Sequence, residues 1–351
     1  MSACAGDPSR AAPLPRANQE PRGFSVRVDH NHLVDGAGRP LRLLGVNRSG
    51  AEYACVQGRG IFDGPVDGPA IDAIARWGAN VVRIPLNEHC WLGINGVDPR
   101  YGGEAYRAAI ARYVSALHDK GLYAILDLHW SAAGSARADR QAPMPDRDHA
   151  PDFWRSVATA FKDDPATMLD LFNEPDLKGI RDPWACWRDG CTLHGAPDWE
   201  AAGMQTLVNA VRSTGARMPL LVGGLAFAND MSGWASHAPA DPAHALVASF
   251  HVYNFNACAG AACWSAEIAP LARLVPVVTG EIGEDDCAHA FVDRYMSWAD
   301  EADVSYLGWA WNTWGDPSET QCGPKIVLIA DYSGRPTPYG AGLKRHLAAL
   351  R

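Results

Sequence analysis

No run of residues in this 351-residue sequence is apolar for long enough to make a signal-peptide core or a membrane-spanning helix. Nor is there a basic cluster. The net charge is -9, and 31 Lys and Arg are scattered among 40 Asp and Glu, which gives no field for nucleic acid or an anionic membrane. The glycine fingerprints of nucleotide-binding folds are missing: no G-x-G-x-x-G follows the first candidate strand, and there is no P-loop. Nine cysteines include no C-x2-C pair, which argues against a structural zinc site. No candidate strand ends in lysine, which removes the usual route to Schiff-base chemistry.

What is present in excess is tryptophan, 13 residues, whose flat apolar faces with one polar edge suit stacking on sugar rings as well as core packing. Residues 1–22 are rich in Ala, Pro and Arg without periodicity and read as a disordered linker. The opening Met1-Ser2-Ala3-Cys4-Ala5-Gly6 resembles the end of a bacterial lipoprotein signal, so Cys4 is either a lipid attachment point in the precursor or an incidental cysteine in a tail. The folded unit, 23–351, begins with a hairpin over 24–40, where alternating apolar residues flank Asp35-Gly36-Ala37-Gly38.

From there, short apolar runs alternate with helical patterns. That is the signature of parallel βα units. Candidate strands lie at 41–47, 80–86, 123–129, 168–174, 220–224, 246–253, 277–281 and 306–312, with helices between them at 106–120, 151–161, 199–213 and 288–299 and a last one at 338–350. Eight repeats over roughly 310 residues predict a single (β/α)8 TIM barrel with the hairpin closing its bottom. All the cysteines after Cys4 fall outside these strands. Spacing suggests Cys186–Cys191 and Cys258–Cys263, and neighbouring barrel loops would join Cys55 to Cys90 and Cys287 to Cys322, among the roughly 105 pairings that eight cysteines permit. Such a framework implies an oxidising, extracellular location.

In a barrel of this kind the active site is built at the C-terminal strand ends. Those ends supply Arg83, Asp127 and His129, Asn173 and Glu174, His251 and Tyr253, Glu281, and Trp309 and Trp311. Two carboxylates on opposite sides of one barrel mouth suit glycoside hydrolysis, where one protonates the leaving oxygen and the other attacks the anomeric carbon. Glu174 and Glu281 are the pair expected, with a rim salt bridge as the bland alternative for each. His30-Asn31-His32 has metal-ligand spacing but sits at the wrong end of the barrel, so no metal is expected. Asn87, Glu88, His89 and Trp91 follow the second strand and are candidate cleft residues. The Asn47-Arg48-Ser49 sequon would lie inside the barrel mouth and is discounted.

Asn173-Glu174-Pro175, His251-Val252-Tyr253 and Thr279-Gly280-Glu281, each at a strand end and in this order, make the chain resemble glycoside hydrolase family 5 over residues 24–350. Asn-Glu-Pro alone arises by chance in roughly a few per cent of chains this long; the ordered set is far more specific. The resemblance implies a cofactor-free retaining β-glycosidase with Glu174 as acid/base and Glu281 as nucleophile. It implies that Asn173 binds the sugar 2-hydroxyl, that Arg83 and Tyr253 hold the nucleophile, that His129 and His251 contact sugar or the carboxylates, and that Trp311 is the sugar platform, with Trp309 on the same face by alternation. Its substrate would be a polysaccharide or oligosaccharide, with endo-β-1,4-glucan first. Mannan, a furanoside, a glycolipid or exo action on a terminal sugar are the alternatives within the family, and a non-catalytic carbohydrate-binding barrel is the alternative outside it. The enzyme is expected to act as a secreted or lipid-anchored monomer.

Overall fold

A computed structural model describes residues 23–314 and 326–350. The hairpin strands β1 (Val26–Asp29) and β2 (His32–Asp35) pair antiparallel. Eight parallel strands follow and close into a barrel: β3 (Leu44–Asn47), β4 (Val81–Asn87), β5 (Tyr123–Trp130), β6 (Thr167–Asp170), β9 (Leu220–Gly223), β10 (Leu246–Tyr253), β11 (Val277–Gly283) and β12 (Ser305–Gly308). Numbers β7 (Thr192–Leu193) and β8 (Trp199–Glu200) belong to a small ribbon inserted after β6. A second ribbon, β13 (Ile329–Asp331) with β14 (Arg335–Pro336), precedes the last helix, Pro338–Ala349. The expected barrel is therefore the observed one. No helix among the described residues is long and apolar enough to cross a membrane.

Alternation along the strands decides what faces inward. Val82, Ile84 and Leu86 of β4 join the large outer core against the helices, whereas Val81 packs in the barrel with Tyr123, Ile125, Met168, Leu221, Val247, Val278 and Leu307. Val26 and Leu33 of the hairpin belong to that inner layer, and Phe24, Val28 and Leu41 pack against it. The hairpin is thus the plug at the N-terminal end, tied on by the Val26 N–H donating to Pro165 O (2.8 Å). Above the apolar plug, the same inward register continues into Arg83 on β4, Asp127 on β5, Asp170 on β6 and His251 on β10. Polar residues therefore occupy the mouth.

β11 breaks the alternation. Phe250 pairs with Thr279 but His251 pairs with Glu281, so Gly280 is an extra residue, a β-bulge. Val278 faces in, and without the bulge Glu281, three residues on, would face out. A Cβ on Gly280 would meet His251 Nε2 at 2.7 Å, which is why glycine occupies the bulge.

Several elements are shorter than the sequence predicts. The strand expected over 168–174 stops at Asp170, so Asn173 and Glu174 sit in irregular backbone beyond it, and the strand expected over 306–312 stops at Gly308. The helix expected over 199–213 begins at Met204, because Trp199 and Glu200 are taken by β8. Disulfides join Cys55–Cys90, Cys186–Cys191 and Cys258–Cys263, as spacing and neighbouring loops suggested. Cys287 is also disulfide-bonded; its expected partner Cys322, like Cys4, lies outside the described residues.

Candidate active site

Arg83 organises the mouth. Its side chain is fully buried and its nitrogens meet five partners: Nε donates to Asp170 Oδ2 (2.9 Å), Nη1 to Asn47 Oδ1 and Glu281 Oε1 (both 2.9 Å) and Nη2 to Asn173 Oδ1 (2.9 Å), while Asp127 Oδ2 forms an ion pair with Nη2 at 3.1 Å. Four hydrogen bonds and one further ion pair thus converge on a single planar guanidinium, a set that a lysine ammonium could not match. Burial alone would lower the Arg83 pKa, but Asp127, Asp170 and Glu281 overcome it and hold the guanidinium charged. Three carboxyl groups around one cation cannot all be ionised cheaply. Burial pushes Asp127 and Asp170 up to about 7, with Arg83 opposing.

Glu281, almost fully buried, receives a second donor on its other oxygen, the Tyr253 hydroxyl at 2.5 Å from Oε2. Tyr253 is held protonated, because burial and then the neighbouring Glu281 and Glu174 push its pKa well up. Glu174 lies across the mouth with a side chain 16% exposed. Burial raises its pKa above the usual carboxyl value, opposed by His129, Gln141 and Arg83. His251 lies between the two carboxylates, with Nδ1 3.0 Å from Glu174 Oε1 and 3.8 Å from Glu281 Oε2. Burial depresses His251 to about 3, so at neutral pH it is an uncharged imidazole. Oxygen atoms of Glu174 and Glu281 and a nitrogen of His251 all lie within 4.8 Å of one another.

The remaining expectations divide. His129 is at the mouth, with Nδ1 2.6 Å from Asp127 Oδ2 and its ring stacked parallel on Trp309 at 5.3 Å. Trp311 is elsewhere. It is fully buried, edge-on to Trp77 in the outer core, and the ring left half-buried at the mouth is Trp309. The alternation that put both rings on one face fails because β12 ends at Gly308, before either tryptophan. Asn87, Glu88, His89 and Trp91 are also fully buried rather than lining an open cleft; Asn87 caps the short helix Glu88–Leu92 by accepting from the Cys90 N–H.

Three contributors escaped the sequence reading. Asn47 was dismissed with its sequon, yet it accepts from Arg83 and donates through Nδ2 to Gly280 O (2.8 Å), clamping the bulge under Glu281. Asp170 ends β6, and that position was the available signal. Gln141, on the loop after β5, donates to Glu174 O (3.2 Å) and accepts from Asn173 Nδ2 (3.4 Å), and no strand-end rule points to it.

A family model described as Cellulase (glycosyl hydrolase family 5) matches residues 35–315. The chain belongs to glycosyl hydrolase family 5. It is a glycoside hydrolase. Among curated proteins it is 27% identical over 232 residues to Endoglucanase C of Evansella cellulosilytica, covering 63% of this chain but 25% of that one. It is 22% identical over 331 residues to a mannan endo-1,4-beta-mannosidase of Salipaludibacillus agaradhaerens, covering 87% and 91% of the two chains. An Endoglycoceramidase I of Rhodococcus hoagii is 28% identical over 233 residues, 56% of this chain and 45% of that one. The fold matches a crystal structure of a beta-glucanase from Saccharophagus degradans in complex with cellotetraose, with TM-score 0.72, 20% identity and coverage of 97% and 98%.

Proposed function

We propose that this family 5 enzyme is an endo-β-1,4-glucanase that acts with retention, with Glu281 as nucleophile and Glu174 as acid/base. The observation that carries the reading is the asymmetry between two carboxylates within 4.8 Å: Glu281 takes a guanidinium N–H and a phenol O–H, whereas Glu174 is raised by burial with no cation bonded to it. Burial favours the protonated form of Glu174, as a proton donor needs.

In the first step Glu281 attacks the anomeric carbon while Glu174 gives its proton to the departing glycosidic oxygen. The glycosyl-enzyme bond forms as the glycosidic C–O bond breaks. In the second step Glu174, now ionised, takes a proton from water as that water displaces Glu281. Neutral His251 supports both steps by donating a hydrogen bond between the carboxylates without adding a charge that would stabilise ionised Glu174. Asn173 Oδ1 is held by Arg83 and one Nδ2 hydrogen goes to Gln141, so its second amide hydrogen is the one to serve a sugar hydroxyl, and Trp309 takes the platform role in place of Trp311. All these groups come from one chain, which supports action as a monomer, and the disulfides support an extracellular site.

Glucan is favoured by the endoglucanase relative and by the cellotetraose-bound β-glucanase of the same fold. Mannan is the second reading, because the mannosidase match spans nearly the whole of both chains. The test is hydrolysis of soluble β-glucans, mannans and aryl β-glycosides by wild type, Glu174→Ala and Glu281→Ala. Glucan cleavage that Glu281→Ala abolishes, with azide restoring turnover as the inverted glycosyl azide, supports the proposal. Mannan cleavage alone replaces the substrate, and an active Glu281→Ala enzyme overturns the mechanism.

A further inference from the structure

Among the described residues four large apolar side chains stand open to solvent, and two of them, Phe227 (49% exposed) and Phe255 (60%), follow the paired strands β9 and β10 at the barrel mouth. Phe227 stands in strained backbone. Ala226, Phe227 and Ala228 have φ of 51°, 61° and 57°, three successive non-glycine residues in the left-handed region, which such residues ordinarily enter one at a time. Strain of this kind persists only where the surroundings hold it, and it clusters at functional sites. Here Leu225 and Asp230 exchange both backbone hydrogen bonds (3.0 and 2.9 Å), the Phe227 N–H donates to Pro175 O (3.1 Å), and Asn229 Nδ2 donates to His251 O (2.8 Å). The turn is thereby fastened to the segment that carries Glu174, while the ring it presents is left half in water. Phe255 lies parallel to Tyr253, the residue bonded to Glu281, with ring centres 5.2 Å apart.

Strand order puts Phe227 on the side of the acid. β6, which leads to Glu174, is directly across the barrel from β12, which leads to Trp309, and β9 is the strand next to β6. Glu174 protonates the departing oxygen, so the part of the cleft that borders it receives the leaving group. Polar side chains flanking the two rings in sequence are turned to the loops themselves: Asn229 bonds His251 O and the Cys258 N–H, Asp230 Oδ1 accepts from Ser232 Oγ (2.6 Å), and Asn254 exchanges hydrogen bonds with Asp285. Sugar hydroxyls would find few partners there, whereas an alkyl chain would find two phenyl rings. We propose that Phe227 and Phe255 bind an apolar leaving group, so that the enzyme hydrolyses β-glycosides of long-chain alcohols in addition to glucan. This activity rests on the proposed roles of Glu174 and Glu281 and balances in the same way. The glycosidic C–O bond breaks as Glu281 bonds to the anomeric carbon, the Glu174 proton goes to the departing oxygen and a free alcohol leaves; water then releases the sugar and returns a proton to Glu174.

The test measures kcat/KM of the full chain on methyl, butyl, hexyl and octyl β-cellobiosides below their micellar concentrations, with soluble β-glucan assayed in parallel, for wild type, Phe227→Ser, Phe255→Ser and Phe227→Gly. Each CH2 taken out of water favours binding, and rings half open to solvent cover a chain on one side only, so kcat/KM is expected to rise roughly 10- to 100-fold from methyl to octyl. In the two serine variants that rise should shrink to a few-fold. The octyl-to-methyl ratio is taken within one enzyme, so a general loss of rate does not imitate the effect. Phe227→Gly suits the left-handed backbone and should raise Tm while flattening the series, which separates chain binding from folding. Equal kcat/KM for methyl and octyl in an enzyme that cleaves β-glucan overturns the apolar site and leaves the mechanism standing, as does an undiminished rise in both serine variants. Loss of all cleavage, glucan included, overturns the catalytic reading and the apolar site with it.

Discussion

Gly280→Ala adds one methyl group at the bulge that aims Glu281 into the barrel. The methyl carbon would stand 2.7 Å from His251 Nε2, 3.2 Å from His251 Cδ2 and 3.1 Å from Ser249 Oγ. Gly280 is not in a left-handed conformation, so the penalty is steric rather than torsional. The imidazole is buried and its other nitrogen is engaged with Glu174, so it is not a flexible tip that swings aside. It must retreat by several tenths of an ångström or the bulge must shift, and either displaces one carboxylate relative to the other. Overpacking of this kind costs about 1–3 kcal/mol, and a misplacement approaching 1 Å at a catalytic pair costs about 100-fold in rate. We expect kcat on an aryl β-glycoside to fall by roughly 10- to 100-fold with KM little changed, and Tm to fall by a few degrees. In a His251→Ala background the added methyl has room, so Gly280→Ala should cost far less there. Equal costs in both backgrounds, or wild-type kcat in Gly280→Ala, would refute this account of the bulge.

Trp309 and Trp311 should separate cleanly. Trp311→Ala empties a buried site and should cost about 3–5 kcal/mol of stability in denaturant unfolding, whereas Trp309→Ala should leave stability near wild type and raise KM. The raised Glu174 pKa should set the basic limb of kcat/KM: the acid is present below that pKa and lost as pH rises through it, so activity persists above the ordinary carboxyl range. With a dinitrophenyl leaving group, which needs no proton, that limb should disappear; an identical limb for both leaving groups would contradict the assignment. Replacing Cys55 and Cys90 by Ser opens a link across 35 residues and should cost about 4 kcal/mol in the chain-entropy treatment, read as a lower unfolding midpoint.

Much of this architecture was legible because a parallel barrel buries its strands on both faces and puts chemistry at their ends. The run Tyr123-Ala124-Ile125-Leu126-Asp127-Leu128-His129 displays both facts in one segment. The same logic failed where a strand stopped early. Trp309 and Trp311 share a face only while the strand continues, and it ends at Gly308. The apolar run before Glu281 marks it as a strand end, although strict alternation turns it outward; the bulge at Gly280 makes it an inward residue. Gly280 stands in the sequence, but a glycine there is compatible with a plain strand, and only the partner His251 reveals the extra residue. Asn47 and Asp170 also sit at strand ends, but their role, holding Arg83, depends on a contact between strands that the sequence does not display. Gln141 had no signal, since its contact depends on the path of an irregular loop.

The central claim, that Glu174 and Glu281 act as a close retaining pair, is tested most directly by proton NMR of the first sugar released from a soluble β-glucan or aryl β-glucoside, recorded before mutarotation. The account predicts that the new reducing end appears as the β-anomer and then decays to the equilibrium mixture. Appearance of the α-anomer first would mean inversion and would contradict the mechanism.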